Sequence, residues 1–388
     1  MPMLNYLDWE LTPEQQMIQQ VVRDFVEKEA LPLIPDCFEE ARFPRELIPR
    51  YAELGLLGAT LPEVGSGIDY LSYGLVFQEL ERGDSALRSF ASVQSSLCMW
   101  PISRYGSDEQ RAKYLPAMAQ ARMIGCFGLT EHDHGSDPSG MTTRAVRDGD
   151  GSWVLNGTKM WISNGGIADL ALIWAKMRDG DDDVIRGFLI ETDRNGFCAN
   201  DIHQKLSLRA SVTSELVLQD CRVPADAILP GVTGLRGPLS CLNEARFALT
   251  FGTLGAAMAC YECALEYSTL REQWGRPIGG FQLVQERLVD ALDAITKGQL
   301  LAYQLAHLKD VGRLRPAQVS LAKRANCAMA LDVARSLRSV LGGNGISLAY
   351  PIFRHMVNLE AVYTYEGTHE MHTLVVGADV TGLEAYRG

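Results

Sequence analysis

The chain has 388 residues, above the size at which one hydrophobic core stops growing, so two or three packed units are expected. Its hydrophobic content of 47% is enough to fill them, and 48 acidic against 36 basic side chains leave a formal charge of -12. No stripe of Lys and Arg is present to track phosphates, which argues against a nucleic-acid partner.

The opening MPMLNYLDWELTPEQQ has no basic flank followed by a hydrophobic stretch. No apolar run is read as approaching the ~20 residues that span a bilayer, so no membrane insertion and a cytoplasmic location (mitochondrial matrix in a eukaryote) are expected. Thr12 is placed to cap a helix with Pro13 at its first position and Gln15 three residues on. Met17, Ile18, Val21, Val22, Phe25 and Val26 then share one face of that helix. Further helices are predicted over 46–55, 70–82, 88–103 and 108–121, punctuated by Pro62, Gly65, Gly67 and Gly106.

From about Gly125 the texture changes. The runs SWVLNGTKMWIS, DLALIWAKM, IRGFLIE and SELVLQDCRVP alternate with Gly, Asp and Asn turns, predicting an antiparallel β unit. After Pro230 helical spacing returns over 242–271, 281–308 and 316–341, which predicts a bundle. The fold class is therefore α+β in three parts: an N-terminal helical domain (1–124), a middle antiparallel β domain (125–232) and a C-terminal helical bundle (233–388). A flat ligand fits best in the clefts between the β unit and the helices.

The fingerprints of the common cofactor and hydrolase folds are missing, since no GxGxxG follows a strand and neither GxxxxGK[ST] nor GxSxG occurs. The nine cysteines are scattered, and Cys260 and Cys263, the one close pair, have no second pair to complete a zinc site. His369 and His372 stand three apart rather than the four of HExxH, and His132-Asp-His134 beside Glu131 and Asp137 reads better as a polar turn than as a chelator. No metal is expected. Glu366, between Tyr365 and Gly367, sits where the chain turns; sheltered among aromatics it would have a raised pKa suited to a general base. Local physics also admits a helix-capping or solvated carboxylate there. Arg88 lies in a helix otherwise built of Ala, Leu, Ser, Phe and Val, where an inward cation needs an anion; Asp84 one turn back and Glu81 almost two turns back are the candidates.

The stretches FGLTEHDHGSDP, NGTKMWISN, REQWGRPIGGFQ, LGGNGIS and TYEGTH occur in order and at matching intervals over nearly the whole chain, and the sequence resembles the acyl-CoA dehydrogenase family. LERGDSALRSFASVQSSL, LSLRAS, CLNEAR and NLEAVYTYEGTH are similar to the branch of that family acting on glutaryl-CoA. The resemblance implies an N-terminal helical domain, a middle β domain and a C-terminal four-helix bundle, non-covalent FAD, an acyl-CoA substrate, a homotetramer, and an electron-transfer flavoprotein as acceptor. It implies that Glu366 removes the proton α to a thioester while flavin N5 takes the β-hydride. The enolate oxygen is then held by a ribityl hydroxyl and the Glu366 N–H.

By the same resemblance, FAD is lined by Phe127, Leu129, Thr130, Ser136, Trp161, Ile162 and Ser163. Arg271, Gln282, Leu341, Gly342, Gly343 and Thr368 also reach it, partly across a subunit boundary. Arg88 and Ser89 bind the distal carboxylate, tuned by Glu81; Tyr365 and Gly367 flank the substrate; Leu242, Asn243, Arg246 and Ser136 contact the acyl-CoA. Glu81 and Tyr365 together favour decarboxylation of the oxidised product. Many relatives carry a proline after the Thr-Glu of the first motif, where this chain has His132.

Overall fold

The computed structural model describes residues 5–385. Helix α1 (Pro13–Phe25) starts as predicted, with Thr12 and Gln15 forming a reciprocal capping box and Pro13 in the first turn. Its buried face is the predicted one only in part: Val22, Phe25 and Val26 are buried and Ile18 is half-buried. Gln15, Gln19, Val22, Arg23 and Phe25 point inward while Met17 and Val21 are exposed. The cause is Glu79, buried on the facing helix, which accepts from Gln19 Nε2 at 2.8 Å and Arg23 Nε at 2.9 Å and rotates the polar stripe toward the core.

Short helices α2 (Ile34–Glu40) and α3 (Ile48–Glu53) lead to α4 (Tyr70–Gly83) and α5 (Ser85–Ser92). Asp84 breaks the chain between α4 and α5; its backbone is extended and its carboxylate caps α5 through Ala86 N. A π-helical segment (Val93–Met99), α6 (Trp100–Tyr105) and α7 (Asp108–Ala119) complete the N-terminal part.

The middle part is a single seven-stranded sheet: β1 (Gly125–Gly128), β2 (Arg144–Arg147), β3 (Trp153–Ser163), β4 (Leu170–Asp179), β5 (Asp182–Glu191), β6 (Phe197–Asp201) and β7 (Thr213–Val223). It is mixed, which corrects the antiparallel expectation. β1 and β2 both pair parallel with the same edge of β4, β1 along Leu170–Ile173 and β2 at Lys176 and Met177, while β4–β5, β2–β3, β3–β7 and β6–β7 are antiparallel. Alternation says nothing of strand direction, and β4 is buried on both faces, so its sequence reads as one apolar run. Cys126, Ala171, Ile173 and Phe188 share one core with Leu155, Leu216 and Leu218, whereas Phe127, Leu129, Leu172 and Trp174 join the core of the helices.

Helices α8 (Arg236–Leu270), α9 (Gln282–Asp310), α10 (Pro316–Arg338), α11 (Pro351–Thr364) and α12 (His369–Thr381) form the C-terminal part, with α10 packed against the other four. Contrary to the reading that no apolar run approaches spanning length, α8 holds an 18-residue window of mean hydropathy 1.3, but 78% of that window is buried inside the protein. The three parts are tied together by side chains that satisfy backbone groups. Gln94 receives Gly125 N at 2.7 Å, Arg209 donates to the Phe38 carbonyl at 2.9 Å, and Asn358 Oδ1 receives Leu208 N at 2.8 Å.

Candidate active site

Four residues, 365–368, join α11 to α12. Tyr365 is extended, Glu366 is left-handed at φ 54, Gly367 follows at φ 95, and Thr368 caps α12 by accepting from Met371 N. A non-glycine residue in the left-handed region is strained and persists only where its surroundings over-determine it. They do so here through the backbone oxygens of the turn. The Glu366 carbonyl accepts from Arg246 Nε at 2.7 Å and lies 3.2 Å from His372 Nε2, while Lys323 Nζ donates to the carbonyls of Tyr363 (3.0 Å) and Gly367 (2.8 Å). A Cβ at position 367 would stand 2.9 Å from His372 Nε2 and 3.3 Å from Arg246, so glycine is required there by space as well as by φ.

Glu366 as a residue is half-buried, yet its Oε2 is sealed from solvent and has no hydrogen-bond partner. Burial pushes its carboxyl pKa up, against the opposing charges of Arg88, Arg246 and Lys323. Burial likewise brings the His372 imidazole down to about 3, so it is neutral at physiological pH.

Tyr365, the residue before Glu366, reaches Arg88. Arg88 is 1% exposed; its Nη2 donates to the Tyr365 hydroxyl and its Nε to Glu81 Oε2 at 2.7 Å. Glu81 is fully buried and also accepts from Ser85 Oγ at 2.7 Å. Burial opposes the Arg88 charge, but Glu81 outweighs it and holds the guanidinium firmly protonated. The alternative partner, Asp84, is committed elsewhere: to the α5 cap, to Arg354, and to Asn358 Nδ2 at 2.9 Å. Ser89, one residue on from Arg88, is buried as well.

On the β side, residues 129–143 leave the sheet between β1 and β2. Glu131 closes this loop, accepting from Thr142 N (2.6 Å), Thr143 N (2.9 Å), both threonine hydroxyls, and Lys159 Nζ (2.8 Å). Burial works against that carboxylate, but Lys159 and the threonine donors hold it down to about 2. The predicted polar turn is thus present, and its acidic residue is spent on closing the loop.

Phe127 and Leu129 are packed in the core. Thr130 meets β3, its carbonyl accepting from Met160 N at 2.8 Å, and Ser136 is exposed on the loop. Trp161 follows in an irregularity of β3 where pairing with β7 slips between Lys159 and Ile162; at φ 63 and 57% exposed, its ring is held out of the β core. Ile162 is turned into that core, leaving its backbone for any ligand contact, and Ser163 is half-buried.

Arg271, Leu341, Gly342 and Gly343 come together elsewhere, in an open hollow of about 330 Å³ shared with Tyr267, Gln273 and Asn344. A Cβ on Gly342 or Gly343 would meet nothing within 4 Å, so the floor of this hollow is bare backbone. Gln282 is exposed at the start of α9. On α8, Leu242 is half-buried and Asn243 Oδ1 accepts from Arg246 Nη1 at 3.2 Å. Arg246, expected on the acyl-CoA, is also turned onto the Glu366 carbonyl.

Lys323 and His372 complete the Glu366 turn although neither is among the sequence candidates for it. Lys323 carries a usable signal, a cation on the Ala-rich run VSLAKRANCAMAL beside Arg324, whereas the spacing of His372 from His369 points only to a metal ligand. Among the described residues no group of three His, Cys, Asp or Glu is placed to hold a metal ion.

Profiles of three acyl-CoA dehydrogenase domains match the chain in order: the N-terminal domain over residues 12–122, the middle domain over 126–221 and the C-terminal domain over 233–381. The short-chain specific acyl-CoA dehydrogenase of Bos taurus mitochondria is 34% identical over 387 residues, 98% of this chain and 93% of that protein. The crystal structure of a glutaryl-CoA dehydrogenase from Mycobacterium smegmatis in complex with FADH2 is similar at a TM-score of 0.95 and 51% identity, with 97% of each chain covered. Butyryl-CoA dehydrogenase from Megasphaera elsdenii follows at 0.92 and 33%, covering 96% of this chain and 100% of that one. The chain belongs to the acyl-CoA dehydrogenase family. It is an oxidoreductase with an acyl-CoA substrate and FAD as cofactor.

The residues present fit that cofactor. An aromatic ring held out of its own core beside the Thr130 strand end is suited to a planar ring system, and bare glycine backbone next to an arginine is suited to a diphosphate.

Proposed function

We propose that the enzyme oxidises glutaryl-CoA and releases CO2 from the product to give crotonyl-CoA, with Glu366 as the base. The observation that carries the reading is the arrangement Glu81–Arg88–Tyr365–Glu366: a buried arginine, paired with Glu81, donates to the phenol of Tyr365, the residue that precedes a glutamate with a free, sheltered oxygen. An acyl chain whose α-carbon lies at Glu366 and whose far end reaches Arg88 matches a short dicarboxylate. Ser89 stands beside Arg88 to add a hydroxyl donor.

The free thioester α-proton is far too weakly acidic for an ordinary carboxylate, so both partners must be shifted. Burial raises the Glu366 carboxyl. The Glu366 N–H donates to no group among the described residues, which leaves it for the thioester oxygen as negative charge develops there. FAD, when bound, supplies the acceptor for the hydride leaving the β-carbon. Oxidation then leaves the carboxylate on the γ-carbon, next to the new α,β-double bond and vinylogous to the thioester carbonyl. The C–C bond to that carboxylate breaks, its electron pair enters a dienolate, and the proton held on Glu366 returns to the carbon skeleton. Because Arg88 is already balanced by Glu81, the bound substrate carboxylate leaves this end of the pocket with a net negative charge, which its departure as neutral CO2 relieves.

Electrons pass on to an electron-transfer flavoprotein, and the working unit is a homotetramer; family membership supports both. A second reading, oxidation of a short monocarboxylyl-CoA, is favoured by the same Glu81–Arg88 pair, which leaves the pocket neutral before substrate enters, and by the short-chain relatives.

Anaerobic titration of the yellow protein with acyl-CoA thioesters separates the two. Glutaryl-CoA should bleach the flavin and, with an electron acceptor, release CO2; faster bleaching by butyryl-CoA without CO2 would favour the second reading. Glu366→Gln should lower flavin reduction by about 10²–10⁴-fold with FAD still bound. Retained activity would remove the base assignment.

A further inference from the structure

Lys323 is fully buried on α10, and its ammonium is met by two backbone carbonyls rather than by a carboxylate within ion-pair reach among the described residues. Burying a cation on neutral acceptors is costly unless the position gains something from the charge. The two carbonyls bracket Glu366. Tyr363 lies in the last turn of α11, where unsatisfied carbonyls carry the negative end of the helix, and Gly367 is on the far side of the strained residue. We infer that Lys323 is the positioning residue for Glu366, stapling both ends of its left-handed turn and adding positive charge beside its sheltered carboxylate.

The inference rests on Glu366 being the base. The groups facing that carboxylate are Arg88 from α5, Arg246 from α8, Lys323 from α10, Glu81 from α4 and the Tyr365 phenol beside it, with neutral His372 from α12 behind the turn. Arg88 and Arg246 act on the carboxylate more strongly than Lys323, but neither spans the turn. Arg88 is ion-paired with Glu81, and Arg246 is bound to the Glu366 carbonyl and to Asn243. Burial lowers the Lys323 ammonium, with Cys327 and then the Glu366 charge acting the other way and Arg246 and Arg88 adding to the lowering; Lys323 and Glu366 each support the charged form of the other.

A base is active above its pKa and fails as pH falls through it; removing a nearby cation raises that pKa and moves the failure to higher pH. Full-length, FAD-loaded Lys323→Met, Lys323→Gln and Lys323→Arg enzymes, with Glu366→Gln as control, are compared by anaerobic stopped-flow bleaching across pH. Glutamate carboxyl titration by 13C NMR is followed in parallel on the same proteins.

Lys323→Met should slow flavin reduction at neutral pH by about tenfold, with the acid limb and the Glu366 carboxyl resonance both shifted upward by about one pH unit. Lys323→Gln, which keeps a donor for the carbonyls without the charge, should show the same pH shift, and Lys323→Arg should restore most of the wild-type limb. Should the Met variant fail to fold, the Gln and Arg pair decides the matter alone. Wild-type limb and carboxyl titration in the charge-free variants, with Glu366→Gln inert, would overturn the role of Lys323 while leaving the base in place. An active Glu366→Gln would instead overturn the underlying reading.

Discussion

Arg88 and Glu81 are a buried pair in which each partner makes the other tolerable, so single substitutions confound stability with recognition. Arg88→Met leaves the Glu81 carboxylate uncompensated and should cost about 3–5 kcal/mol in a denaturant melt. Pairing it with Glu81→Gln should recover most of that stability. Recognition should not return: kcat/KM for glutaryl-CoA relative to butyryl-CoA should remain down about a hundredfold in the double variant, the loss expected when a hydrogen-bonded charge partner is removed from a buried site. A double variant that still prefers glutaryl-CoA would mean that Arg88 serves the fold alone. The inward cation itself was legible, because a lone arginine in an apolar helix demands a partner; which partner was not. Asp84 and Glu81 were both within helical reach on paper, and the break in the helix at Asp84 decided between them by turning that carboxylate toward Arg354. The same reasoning would have found Lys323. The left-handed backbone of Glu366 had no comparable signal beyond the following glycine, since φ is set by Arg246, His372 and Lys323, residues 120, 6 and 44 or fewer positions away in sequence.

Between elements, the close approach of α4 to α8 is what brings Glu81 under Arg88. The α8 run FGTLGAAMAC offers almost no side chain at this crossing. A Cβ on Gly252 would overlap Glu81 Oε2, and one on Gly255 would overlap the Gln78 carbonyl oxygen, a backbone atom with nowhere to go. Gly255→Ala should therefore destabilise the protein by about 1–3 kcal/mol despite the better helix propensity of alanine. Gly377→Ala, in α12 with open space around its Cβ, should instead stabilise by about 0.5–1 kcal/mol. Parallel thermal melts of the two variants test the contrast, and equal effects would refute the packing account. Element types were largely readable from periodicity and caps, α1 above all. Faces and partners were not: hydrophobicity put Met17 and Val21 inside, whereas buried Glu79 drew Gln19 and Arg23 there instead, and strand direction around β4 left no trace in the alternation pattern.

Across the whole molecule, the order helices, sheet, helices was visible as a change of texture along the chain, while the docking of the three parts depends on single side chains such as Gln94 and Asn358 that no pattern singles out. The C-terminal part also leaves apolar side chains uncovered near the Arg271 hollow. Trp274 is 88% exposed, and Leu270, Leu283 and Ile346 are exposed with it. A face of this kind on a well-packed protein marks an association surface, and the proposed tetramer would cover it with another copy. Light scattering should then give a mass of about four chains. Trp274→Asp should lower that mass and, because Arg271 and Gln273 line the neighbouring hollow, loosen FAD as well. A monomeric wild-type protein that holds FAD would argue against the assembly.

The shared edge of β4 has a consequence for how such a protein can change over time. Because β1 and β2 dock on one strand in succession and Glu131 ties the ends of the excursion between them, the ladder does not depend on what residues 132–137 are. Those six positions form a cassette. Substitutions there, including the histidine at 132, leave strand register untouched, so every position of the cassette but Ser136, which is expected on FAD and the acyl-CoA, can be rewritten without disturbing the sheet.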